Sequence, residues 1–411
     1  MLQFGLLGAT IYMEVVMTEK LYYKDVYMKN FTAEVISCEK QDKNYAVVLD
    51  RTAFYPTGGG QPYDTGYIYY GDKKIEVIDV NEKDGIIYHT TNEPIPTGEN
   101  ISAEIDWERR FDHMQQHAGE HLMAGCIYNL FGGVTRGLHL GKDISTIDVL
   151  MPDGRMRLND DEIYNLETLL NDRIQTDAPI RCFFPSNEEI KTLPLRKPPT
   201  VDEGIRVVAA GDFEMVPCAG THPTTTGQVG LVKVLSTTPS KGFMRVSFVA
   251  GKRAVKYFMD LYISSSEAAV KLSCGHEALP KAVDKLQQDI KNLKEELVSY
   301  QKKEVNFIAD KLLNSAEILP HGRLIAEKLP DEFTSLKQLA ILLAENDDVV
   351  ALLQCGNNIA FSRGKDIDIS MPDIIKKCGG RGGGSPDFAQ GVAIDHGCIN
   401  NARNVARELL G

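Results

Sequence analysis

Between residue 17 and about residue 105 the apolar positions come in short alternating or β-branched runs. They read Ala33 to Lys40 (AEVISCEK), Tyr45 to Asp50 (YAVVLD), Gly66 to Tyr70 (GYIYY), Lys73 to Val80 (KKIEVIDV) and Gly85 to Thr90 (GIIYHT), with Gly, Asn and Asp between them. Period-two runs bounded by turn formers predict strands, and this number of them predicts a small antiparallel barrel or sandwich. From Asp106 the period changes. Phe111, Met114, His117, His121, Met123 and Ile127 follow helical spacing up to Phe131, where Gly132-Gly133 is a stop signal. A strand over Thr146–Leu150, a helix over Asp160–Ile174 and strands at Ile205–Ala209, Gly230–Val234 and Met244–Val249 complete an α+β part. Beyond it, Leu286, Ile290, Leu293, Leu297 and Tyr300 keep a 3-4 spacing with Lys and Glu between them. That pattern is either a coiled-coil-like seam or one helix packed on its own domain. The last ninety or so residues return to α/β. The expected fold is therefore α+β multidomain. Its parts are a barrel-like glycine-motif domain (17–105), a zinc-binding domain (106–253), a helical dimerisation segment (254–313) and a C-terminal α/β domain (314–411).

Composition changes this picture in three places. At 411 residues the chain is too long for one ordinary core. Its eight cysteines are scattered with no CxxC pair, which suits a reducing cytoplasm better than a disulfide framework. A formal charge of −12 argues against broad nonspecific nucleic-acid binding while leaving room for a local basic face. Met1–Val16 is apolar, yet it lacks a basic start and carries Glu14, so it reads as an alternative start or disordered arm ahead of Met17. No stretch is long and apolar enough to span a membrane.

Two spacings carry the chemistry. His117-x-x-x-His121 and Cys218-x-x-x-His222 each put two donors on one face of a helix or tight turn. Three imidazoles and a thiolate are a set that zinc takes readily in a tetrahedron, one ion per chain. His113 extends the first row but lies a full turn further on, as a flanking residue. His117-Ala118-Gly119-Glu120-His121 also reads HxxEH, a metallopeptidase pattern in which Glu120 would be the base. That reading leaves Cys218 and His222 unexplained. Gly58-Gly59-Gly60 allows close backbone approach or positive φ, and Gln61 directly after suggests a fixed loop that places an amide. A second glycine run, Cys378 to Gly391, holds Arg381 among Gly382, Gly383 and Gly384. It has neither P-loop nor Rossmann spacing, and could present backbone N–H groups to phosphate.

Taken together, LDRTAFYPTGGGQPYDTG, HMQQHAGEHL, DFEMVPCAGTHP and GGRGGGSPDFAQG, in this order, resemble the motifs of the alanyl-tRNA editing family of long free-standing AlaX proteins. The same parts form the editing and C-terminal DHHA1 regions of alanyl-tRNA synthetase. The resemblance runs from Met17 to the C-terminus and implies a stand-alone, cytoplasmic, ATP-independent zinc deacylase. It implies tRNA(Ala) carrying serine, or glycine, as substrate and partner, and a homodimer paired through the helical region. It implies further that Glu120 acts as base or positioner, that Thr135 meets the serine hydroxyl, and that Gln61 supports the substrate from the glycine loop. Arg381 with Gly382–Gly384 would contact tRNA, and Asp212 would stand behind a zinc histidine. Two departures stand out: Ala219 where the family has glycine, and Ser385 where it has a basic residue. A non-catalytic, zinc-stabilised tRNA-binding module is the alternative, and the HxxEH peptidase a further one.

Overall fold

The computed structural model describes residues 17–199, 201, 203–395 and 397–411, so the reading of Met1–Val16 lies outside the described residues. The chain forms two compact units, the first ending at Ser265 and the second running from Ser266 to Gly411.

In the first unit six strands close a barrel. Around it the order is Asn30–Gln41, Asn44–Leu49, Ile86–Thr91, Lys73–Lys83, Gly66–Tyr70 and Asn100–Ile105, which pairs back onto the first. Alternation decides which residues go inside: along Asn100–Ile105 only Ile101, Ala103 and Ile105 are buried. They meet Val35, Val47, Ile68, Ile75, Val77 and Ile87 in one core. Register shifts at Val35/Ser37 and Val77/Asp79 bend the two longest strands, and closure leaves no free edge.

One imidazole sits in this core. His89 is fully buried, its Nδ1 3.0 Å from the Val47 carbonyl and its Nε2 2.8 Å from Thr52 Oγ1. The carbonyl can only accept, so Nδ1 carries the hydrogen and Nε2 accepts from the hydroxyl. Burial holds the imidazolium pKa down to about 4, although the Val47 contact opposes it. The folded pKa is depressed, so the stabilisation is complete above the ordinary value of 6.5 and is lost as pH falls through 6.5 towards 4. The loss is expected to reach roughly 3 kcal/mol. Urea midpoints of wild type and His89→Asn at pH 7 and pH 4.5 check it. An identical acid-induced shift in both proteins would refute the assignment.

Helix Trp107–Phe131 leaves the barrel with Asp106 capping Arg109 N, and ends at Gly132 in the left-handed region (φ 67°). It packs on an antiparallel sheet ordered Val232–Ser240, Phe243–Ala250, Ser145–Leu150 and Val134–Leu140. Gly119 makes the approach possible, because a Cβ there would lie 3.0 Å from Ala250 Cβ and 3.2 Å from Val232 Cγ2. Gln116 pins the same contact, donating to Ala250 O (2.8 Å) and accepting from Ala250 N (2.9 Å). Helix Asp160–Gln175, opened by an Asn159/Glu162 capping box, covers the core these elements share. A three-stranded sheet, Ile180–Phe183, Val207–Ala210 and Glu214–Pro217, carries the CxxxH turn at its end. The strand Val134–Leu140 escapes the sequence pattern, since Gly137 and Arg136 interrupt its alternation.

Where residues 254–313 read as one helical segment, there are two helices, Gly251–Lys271 and Leu279–Asn314. The break falls at Gly275, and Pro280 opens the second helix, where a missing N–H costs nothing. On the second helix Leu286, Ile290, Leu293, Leu297 and Tyr300 are all exposed. The C-terminal unit is a six-stranded mixed sheet ordered Glu317–Leu319, Gly322–Leu329, Val349–Cys355, Asn358–Arg363, Phe388–Ala393 and Gly380–Ser385. All seven residues of Val349–Cys355 are buried, as a central strand covered on both faces requires. The second glycine run forms the outer strand, Gly380–Ser385, of a hairpin with Phe388–Ala393. Its glycines serve the strand pairing: a Cβ at Gly382 or Gly384 would stand 2.2 Å from Gln390 O or 2.1 Å from Phe388 O.

Candidate metal centre

His117 and His121 project from one face of the long helix with rings 4.9 Å apart, and the turn after Glu214–Pro217 brings Cys218 and His222 against them. Cys218 Sγ lies 3.4 Å from His117 Nε2 and 3.8 Å from His222 Nε2. The four donor atoms all lie within 4.8 Å of one another. A tetrahedron built on zinc–nitrogen and zinc–sulfur bonds has edges of about 3.3 to 3.8 Å, so the cluster is close to the size the ion needs. Among the described residues, both ring nitrogens of His121 and Nδ1 of His222 are buried with no hydrogen-bond partner. Buried polar atoms are normally satisfied, and this donor set suits a borderline-soft divalent cation. Burial pushes His117 down to about 3 and holds His121 and His222 well below the usual imidazole value. They are therefore neutral, the form that coordinates. Burial also pushes the Cys218 thiol up to about 12, so binding a cation here must release its proton.

Behind the donors stands a second layer, mostly unseen in the sequence. Gln61, buried, places Oε1 3.0 Å from His117 Nδ1 and 3.0 Å from Thr221 N, while its Nε2 donates to Thr221 Oγ1 at 2.8 Å. The amide thus receives the His117 Nδ1 hydrogen and leaves Nε2 facing the thiol. Its oxygen is committed to the ligand and to the turn that follows Cys218. Gly220 is required beside it, since a Cβ there would lie 2.2 Å from His117 Cε1. Ala219 is tolerated because its side chain is exposed and its φ is not positive; its carbonyl accepts from Tyr23 Oη at 2.8 Å and Tyr55 Oη at 3.3 Å. Arg206 clamps the same turn through Cys218 O (2.9 Å) and Gly220 O (2.7 Å).

The glycine loop closes on itself by Gly58 N to Gln61 O and Gln61 N to Gly58 O, with Gly59 and Gly60 at φ 59° and 84°. Only glycine takes two such angles in succession without strain. A fully buried ion pair ties the loop to the helix. Arg110 Nε donates to both Asp64 oxygens, and Asp64 Oδ2 also accepts from Tyr55 N at 2.7 Å.

A cavity of about 750 Å³ opens beside the four donors. Its charged walls are Lys20, Arg136, Arg196, Lys197 and Arg206 against Glu82 and Glu120, a positive hollow in a chain of net charge −12. Glu120 lies on this wall, buried, its carboxyl pushed up by burial against the pull of Arg196 and Lys197. Its Oε2 is 3.4 Å from His121 Nδ1. Thr135 is buried but does not line the cavity; its Oγ1 accepts from Arg196 Nη1 at 3.2 Å. His113 is buried one turn before the cluster, beside Arg109, Lys142 and Arg253, and is not one of the four donors. Asp212 is exposed; the buried carboxylate of this segment is Glu214, paired to Arg196 at 2.8 Å. Arg381 and Gly382–Gly384 belong to the C-terminal unit. Arg196, Lys197 and Arg206 were missed by sequence reasoning, although Arg196-Lys197-Pro198-Pro199 repeats the proline-bounded character of the CxxxH turn.

The chain is similar to known proteins over nearly its whole length. A family described as "tRNA synthetases class II (A)" matches residues 9–109. Another, "Threonyl and Alanyl tRNA synthetase second additional domain", matches residues 205–247, which hold Arg206, Cys218 and His222. Alanyl-tRNA editing protein AlaX-L of Pyrococcus horikoshii is 31% identical over 395 residues, covering 91% of this chain and 94% of that protein. The alanine–tRNA ligase of Ignicoccus hospitalis is 31% identical over 386 residues, 90% of this chain but only 41% of the ligase. Among solved structures, the C-Ala domain from Aquifex aeolicus alanyl-tRNA synthetase is 24% identical with a TM-score of 0.21, covering 23% of this chain and 96% of that one.

Proposed function

Because the chain belongs to the alanyl-tRNA editing family of AlaX-L, we propose that it hydrolyses the ester of mischarged tRNA(Ala), mainly seryl and also glycyl, in the cytoplasm. The observation that carries this reading is the junction of a three-imidazole, one-thiol cluster with a positive cavity in an acidic chain. The four donors would hold one zinc ion, which when bound supplies Lewis-acid polarisation of the ester. Lys20, Arg136 and Lys197 on the cavity wall take the phosphates of the tRNA 3′ end. Glu120 orients the attacking water and accepts its proton. Water adds to the ester carbonyl, the bond to the ribose oxygen breaks, and that oxygen takes a proton to leave free amino acid and tRNA. Gln61 and Arg206 keep the ligands in place meanwhile.

An alanine-activating site cannot strongly reject serine, which merely adds a hydroxyl; a site that hydrogen-bonds that hydroxyl can reject alanine. In this reading the parts 17–105 and 106–253 together form the deacylase, and 314–411 binds tRNA through Arg381 and Gly382–Gly384. The helical part 254–313 pairs two chains through the exposed residues Leu286, Ile290, Leu293 and Leu297. Sedimentation as a monomer at micromolar concentration would overturn the pairing.

The testing experiment follows labelled serine from Ser-tRNA(Ala) beside Ala-tRNA(Ala), with chelator and zinc add-back. Zinc-dependent loss of serine with alanine spared is expected. Intact esters with metal bound would leave only a tRNA-binding module.

A further inference from the structure

Within that deacylase reading, we propose that Arg196 is the residue that reads the side-chain hydroxyl of the seryl ester, with Glu214 and Thr135 holding it in place. The side chain is more than nine-tenths buried, yet it lines the cavity that also exposes His117, His121, Cys218 and Glu120. Its Nε donates to both oxygens of Glu214, at 2.8 and 2.9 Å, and its Nη1 donates to Thr135 Oγ1 at 3.2 Å. A guanidinium has five N–H groups in a fixed plane. Among the described residues, Nη2 has no hydrogen-bond partner, so its two N–H groups remain uncommitted. Thr135 cannot serve in its place, because it stands behind Arg196 and outside the cavity.

The supports are rigid. Glu214 is itself buried and wedged against the long helix, where a Cβ on Gly125 would lie 2.4 Å from its carboxylate. Met215 O accepts from Arg196 N at 2.9 Å, so backbone and side chain are both tied to the same strand. A cation held this way, on the cavity wall it shares with His117, His121 and Cys218, presents donors beside the metal donors. A substrate hydroxyl accepts from such donors. A methyl group leaves them desolvated and unpaired, and a hydrogen atom simply leaves space for water. The pair therefore discriminates serine from alanine by polarity, and glycine passes by size.

The test compares hydrolysis of Ser-, Gly- and Ala-tRNA(Ala) by the full chain carrying Arg196→Met with Glu214→Gln, so that no carboxylate is left charged and alone, and separately by Arg196→Lys. Zinc content is measured in each. The expected result is a roughly 10- to 100-fold fall in the ratio of seryl to glycyl kcat/KM, with zinc content unchanged. Arg196→Lys keeps the charge but not the fork, so it should recover only part of the loss. Seryl and glycyl rates falling together, or an unchanged serine-to-glycine ratio, would overturn this assignment while leaving the deacylase intact. A wild-type chain inert on all three esters would overturn the deacylase reading and the assignment with it.

Discussion

Cys218→Ala is expected to abolish ester hydrolysis and strip the chain of zinc. The thiol is the one soft donor of the four, and its sulfur lies within 4 Å of two imidazole nitrogens. Groups that merely orient a metal ligand cost 10- to 100-fold when removed, so loss of a ligand should exceed about 100-fold. The fold should tolerate the change, because Cys218 is at the margin of its core while the cluster Ala118 to Ala250 is otherwise untouched. Metal analysis and single-turnover deacylation, run on the same preparation, give the answer. Full zinc occupancy with a wild-type rate would remove Cys218 from the site.

Arg110→Met should cost the most stability of any single change, about 3 to 5 kcal/mol, because it leaves Asp64 charged and alone in the interior. Both side chains are wholly inaccessible to solvent. The effect should also reach the metal centre, since Asp64 holds Tyr55 N and ends the loop that presents Gln61 to His117. Denaturant midpoints of Arg110→Met, Asp64→Asn and the double variant measure it. The double variant should regain much of the loss, as no charge is then stranded. A loss under about 1 kcal/mol for Arg110→Met would show that water reaches Asp64.

The helix of His117 and His121 was legible because its apolar period, its cap and its glycine stop agree with one another. Five of the six barrel strands were legible because they alternate or run β-branched, whereas Asn100–Ile105 went unread although it alternates. The strand Val134–Leu140 was hidden, as its glycine and arginine have no pattern until the neighbouring strands supply its partners. The glycine run at Gly380 was legible as a place of close backbone approach but not as an outer strand, because the sheet beside it sets that conformation.

What the sequence by itself determined is local: two i,i+4 donor pairs, the alternation that makes a barrel, and the family motifs in their order. These depend on backbone periods of 2 and 3.6, which neighbours in the chain impose. What only the tertiary structure decided is which groups face the cavity. Gln61 is 56 positions from His117, and Arg196 is 61 from Thr135 and 18 from Glu214. A buried amide or guanidinium must find its partners wherever packing places them, since an unsatisfied polar group in the interior is costly. Nothing in chain order records that pairing, and so the contacts of Gln61 with His117 and of Arg196 with Thr135 and Glu214 appear only in the folded chain.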